Sequence, residues 1–136
     1  MKKLNFLIII FCITILNVTA QEVKFDDDKV LVDKTVRFNF NRKGLGTEFS
    51  LYKLNTKDEI IYMSLDKNET NQYKDDDFKR LVFLQNKITI ESSRLKYATW
   101  KAIVKLLLED KVLDLEGNIN TSNLEKFYAK YNEVND

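Results

Sequence analysis

The stretch that most constrains this chain is Ser92 to Asp110, SSRLKYATWKAIVKLLLED, which holds its only tryptophan. At about 100° per residue, Leu95, Ala98, Ala102 and Leu106 share one side of a helix. Trp100, Ile103, Val104, Leu107 and Leu108 cover most of the opposite side, and Arg94, Lys101, Lys105 and Glu109 leave only a narrow charged stripe. A helix apolar around most of its circumference belongs inside a fold. Ser92 or Ser93 supplies an N-cap, because a side-chain oxygen there accepts from an otherwise unpaired backbone N–H. Such a helix is about 28 Å long at 1.5 Å per residue. The rest of the chain is expected to pack around it.

Residues 1–20 read as a signal peptide instead of part of the fold. Lys2 and Lys3 precede the apolar run Leu4 to Leu16, and Val18-Thr19-Ala20 places small residues at a cleavage site before Gln21. Cys12 lies inside the apolar run, without the small residues that a lipoprotein signal places before it. No later stretch is long enough to span a bilayer as a helix. The expectation is an exported protein, periplasmic or secreted, with residues 21–136 as one domain and no stable membrane insertion after cleavage. Cleavage leaves 20 of the 22 basic residues against 21 acidic ones, a formal charge of −1. That balance argues against nucleic acid, which needs a clustered basic face.

From Glu22 to Glu91 the hydrophobic period is two. Strands are expected at Val23–Phe25, Val30–Val32, Val36–Asn41, Thr47–Leu54, Glu59–Leu65, Phe78–Leu84 and Ile88–Glu91. Alternation puts Val36, Phe38 and Phe40 on one face, and Phe49 and Leu51 inward. Glu59–Leu65 is apolar on both faces, as a central strand would be. Arg42-Lys43-Gly44-Leu45-Gly46 reads as a hairpin loop, since glycine takes φ > 0 without steric cost. Asp66 to Asp77 is a polar loop anchored by Tyr73. Connections this short favour an antiparallel meander.

After Asp110, Leu113, Leu115 and Ile119 flank a Glu116-Gly117-Asn118 turn. Ser122 and Glu125 form a capping box, and Leu124, Phe127, Tyr128 and Tyr131 mark a second, amphipathic helix. Strands first and helices after predict an α+β fold: about seven short antiparallel strands packed by two C-terminal helices.

The missing residue types narrow the chemistry. The sequence has no histidine, and its one cysteine precedes Gln21. Imidazole- or thiolate-based catalysis, the common zinc sites and disulfides are therefore excluded from the mature chain. No catalytic, cofactor or metal site is expected. Asp114, Glu116, Asn118, Asn120, Ser122 and Glu125 do offer oxygens at the spacing of a calcium-binding EF-hand loop. The glycine, however, stands at position four instead of six, where this chain has Ile119. A turn, a buried isoleucine and a helix cap account for the same residues. The runs Asp26–Asp28 and Asp75–Asp77 read as solvated loops. Ser93-Arg94-Leu95-Lys96 spells S-x-x-K without the partner motifs of penicillin-recognising enzymes. Tyr97, Trp100 and Tyr128 could line a ligand pocket, although aromatic residues at helical spacing are usually core.

At Lys101 to Leu108, Glu116 to Asn120 and Leu124 to Tyr131, the chain resembles a loose group of uncharacterised small secreted or periplasmic bacterial proteins. These pair a signal peptide and strand meander with a helix, a charged-Gly-x-hydrophobic-Asn turn and a closing helix. The resemblance implies the fold and the address, and brings no site residue with it. The function expected is a non-enzymatic module that binds a protein or envelope component. The alternatives are a carrier of a small apolar ligand, held between sheet and helix, and a carboxylate-based hydrolase.

Overall fold

The computed structural model describes residues 21–67, 69, 72 and 75–133. The signal-peptide reading, Cys12 and the Tyr73 anchor lie outside those residues. Seven strands run in chain order across one antiparallel sheet: β1 (Val23–Asp26), β2 (Lys29–Val32), β3 (Thr35–Lys43), β4 (Glu48–Lys53), β5 (Glu59–Asp66), β6 (Phe78–Phe83) and β7 (Ile88–Ser92). Two helices follow, α1 (Trp100–Glu109) and α2 (Thr121–Tyr131). This is the α+β meander that the switch from period two to period 3.6 predicts.

Alternation selects which face of the sheet is covered. Phe38, Phe49, Leu51, Ile61, Met63, Leu81, Phe83 and Ile90 are all fully buried. Their cross-strand register places them on one face, with Phe49 opposite Met63, Leu51 opposite Ile61 and Leu81 opposite Ile90. That face meets Trp100, Ile103, Val104, Leu107 and Leu108 of α1, and Leu124, Phe127 and Tyr131 of α2. α1 packs against β1, and α2 packs against β7.

Two bulges modify the simple alternation. One, between β2 and β3, pairs Val30 with Phe38 but Leu31 with Val36. Val36 therefore leaves the Phe38–Phe40 row that strict period two assigns to it. The other pairs Leu51 with Ile61 and Tyr52 with Glu59. The extra residue lets Ile60 and Ile61 both be buried, because a bulge sets two consecutive residues against one. An apolar run in β5 thus reflects a bulge as much as a central position.

The helix starts differ from expectation. Ser92 is the last residue of β7, paired with Lys79, so it cannot cap α1. Residues 93–98 form tight turns in which Lys96 N–H donates to Ser93 O (3.2 Å) and Ala98 N–H to Leu95 O (3.0 Å). The cap is Thr99, whose hydroxyl accepts from Ala102 N–H at 3.1 Å. The helix is therefore 10 residues long, about 15 Å, and Leu95 and Ala98 lie before it. It is also one-sided: Ala102 is exposed and Leu106 only half-buried. Similarly, α2 is capped by Asn120, which accepts from Asn123 N–H at 2.9 Å, and not by Ser122. Asn120 prevails because its own extended backbone already stands one residue before the helix.

Between the helices, Leu113 and Ile119 form an isolated antiparallel bridge around the Gly117 turn. Gly117 has φ +85°, and a Cβ there would stand 2.9 Å from Ile60 Cδ1 and 3.0 Å from Lys53 Cγ. The linker is thereby seated against β4 and β5; Leu113 is buried, whereas Leu115 and Ile119, the isoleucine expected inside, are only half-buried. Beyond α2, Glu133 N–H donates to Glu91 O, and Glu91 N–H donates to the Asn132 side chain. Ser93 Oγ donates to the Glu133 carboxylate at 2.9 Å, which holds that carboxyl below the usual glutamate range. These bonds cover the outer edge of β7.

Candidate functional site at the Trp100 rim

In an antiparallel meander, alternate connections gather at the same end of the sheet. The β3–β4 turn and the β7–α1 connection therefore share one end, and Trp100 ties them together. Its indole is 8% exposed and stacks on Phe49 with ring centroids 6.0 Å apart. Phe49 in turn stacks with Phe40 and Phe25, at 5.4 and 5.5 Å. Trp100 Nε1 donates to the carbonyl of Gly46 at 2.8 Å, fixing the β3–β4 turn to the start of α1.

Lys79 reinforces the same junction. It lies on the helix-covered face of β6, opposite Leu65 of β5 and Ser92 of β7, and is only 5% exposed. Its Nζ donates to the carbonyls of Lys96 (3.1 Å) and Ala98, and sits 4.6 Å from the Trp100 ring centroid. Burial pushes its ammonium below the ordinary lysine value, because desolvation disfavours the charged form. These bonds turn the carbonyls of residues 96 and 98 toward β6, in the turn that precedes the Thr99 cap of α1. Nothing in the sequence pattern marks a lysine as buried here. Its only signal is period: Lys79 falls on the inward parity of Leu81 and Phe83.

The turn itself is unusual. Gly44, Leu45 and Gly46 have φ of +60°, +59° and +89° in succession. Left-handed backbone costs a non-glycine residue roughly 1–2 kcal/mol. Leu45, between the two glycines, meets that cost with its side chain wholly in solvent. Arg42 lies at the root of the turn, its guanidinium over the rings of Phe25 (5.2 Å) and Phe40 (5.6 Å). A hollow of about 290 Å³ beside the turn is lined by Arg42, Gly46, Leu65, Lys79, Ala98, Thr99 and Trp100.

The three aromatic residues expected to share a pocket occupy different surroundings. Trp100 lines this hollow. Tyr97 is 75% exposed with Lys96 over its ring, and Tyr128 lines a separate hollow with Lys87, Ile88, Thr89 and Glu125. The EF-hand-spaced oxygens are likewise divided. Asp114 accepts from the backbone N–H groups of Glu116 (3.0 Å) and Asn118 (2.8 Å), as a turn-forming aspartate does. Asn120 caps α2. With Glu116 and Asn118 they line a wide groove that does not include Ser122 or Glu125. Among the described residues, no three acidic side chains converge as a metal site. Ser93, of the S-x-x-K spelling, donates its hydroxyl to Glu133.

The fold and rim define a small α+β domain in which one aromatic anchor joins sheet, turn and helix. No protein-family model, curated protein or solved structure matches the chain.

Proposed function

We propose that the chain is an exported, non-enzymatic binding module that engages a protein or envelope component through the Gly44–Gly46 turn. The observation that carries this reading is Leu45, an apolar side chain held wholly in solvent on left-handed backbone. Local strain that persists against its cost is a pointer to function. The turn is a stiff platform, since its Gly46 carbonyl is tied to Trp100. An apolar residue presented this way gains free energy only when a partner takes it out of water.

Export rests on the three-part pattern of residues 1–20. The absence of histidine from the sequence supports binding over catalysis. A carrier of an apolar ligand would need unfilled space between sheet and helices, and that layer holds the fully buried Phe49, Phe83, Phe127 and Met63.

Native mass spectrometry of the mature chain, isolated gently from its own host, tests the reading. The wild-type chain is expected to carry a second macromolecule, and a folded Leu45→Asp variant is expected to lose it. Bare chain in both samples contradicts the proposal. An added mass of small-molecule size, released on denaturation, supports the carrier instead.

A further inference from the structure

The hollow beside Trp100 is lined by two cations and by no acidic side chain. Among the described residues, neither Arg42 nor Lys79 belongs to an ion pair. The Lys79 hydrogen bonds go to neutral carbonyls, which satisfy N–H groups without supplying a counter-charge. A buried ammonium without an anion is costly, yet this one is held 5% exposed at the wall of an open hollow. Thr99 and Trp100, which line the same space, are the start of the ten-residue α1, and no acidic residue occupies its first turn. The first amides of a helix have no partner within it, and they add partial positive charge at the same place.

We propose that this hollow binds a small oxyanion of the phosphate or sulfate type between the Arg42 guanidinium and the Lys79 ammonium, with the Trp100 indole as one wall. The guanidinium offers a planar fork of donors suited to two oxygens of one anion. Lys79 has three N–H groups and gives two to backbone carbonyls, leaving one for a ligand. A volume of about 290 Å³ is at the small end of ligand sites. It suits the free anion or one with a short organic body. The site is independent of Leu45, whose side chain does not line the hollow.

Titration with inorganic phosphate at constant ionic strength, followed by calorimetry and by Trp100 fluorescence, tests the assignment. Wild type is expected to show saturable binding that chloride does not reproduce. Arg42→Gln and Lys79→Gln are each expected to weaken it by about 10-fold or more, the scale of one lost charge-assisted hydrogen bond. Leu45→Ser, which adds no charge beside the hollow, is expected to bind phosphate like wild type, which separates this site from the turn's proposed partner. If Lys79→Gln does not fold, Arg42→Gln decides alone, because its side chain is outside the buried core. Equal responses to phosphate and chloride, or superimposable curves for wild type and Arg42→Gln, overturn the proposal.

Discussion

Trp100 combines three roles in one side chain: core filler, stacking partner of Phe49 and donor to Gly46. Truncation removes all three, so Trp100→Ala is expected to destabilise by about 3–5 kcal/mol, as large core truncations do. Denaturant unfolding that matches wild type would contradict this. Leu45 predicts the reverse. Leu45→Gly keeps the turn and relieves left-handed strain, raising stability by about 1 kcal/mol in the same measurement. A loss of stability would show that Leu45 makes contacts its exposure conceals. Lys79 makes a prediction in pH. Its folded value lies below the ordinary lysine value of 10.5, so between the two values the unfolded chain holds more of the proton. Its contribution to stability therefore rises with pH through that window. Measured against Lys79→Met, wild type should gain stability as pH rises toward the ordinary lysine value. Tyr62, which Glu48 holds above the ordinary tyrosine value, is common to both proteins and largely cancels in the difference. A pH-independent difference would contradict the buried-ammonium reading.

At the scale of elements, strands were more legible than helix ends. Alternation places Phe38, Phe49 and Leu51 correctly, because period two is a property of each strand alone. It failed at Val36, where a bulge set by the neighbouring strand moves the residue to the row of Leu31. The apolar run from Ser92 reads as one helix because Leu95, Ala98, Ala102 and Leu106 happen to share helical spacing. The turn between β7 and α1 is bonded by Lys79, more than ten residues upstream, through the carbonyls of Lys96 and Ala98. Such long-range bonding leaves no local trace in sequence. The Gly117 turn shows the opposite case, a local signal with a tertiary cause. Gly117→Ala must take φ +85° and press a methyl group into Ile60 and Lys53, so it is expected to cost about 1–3 kcal/mol. Wild-type stability in that variant would mean the linker is not seated on β4 and β5 as described.

Across the whole molecule, the meander brings together residues that sequence distance keeps apart: Arg42, Gly46, Lys79 and Trp100 meet at one end of the sheet. The sequence pointed to Trp100 as the centre and to aromatic neighbours as its companions. Tyr97 and Tyr128 lie elsewhere, and two cations and a glycine carbonyl take their place. Polar groups were missed because strand parity tells which side chains face inward but not which of them tolerate burial. The rim therefore depends on the placement of one indole, and the chain's single tryptophan allows a direct reading of it. Trp100 emission in the native protein should be blue-shifted and resist acrylamide quenching, then shift red together with the loss of far-UV circular dichroism on unfolding. Emission like that of a water-exposed indole, in a protein whose circular dichroism is native, would contradict the rim.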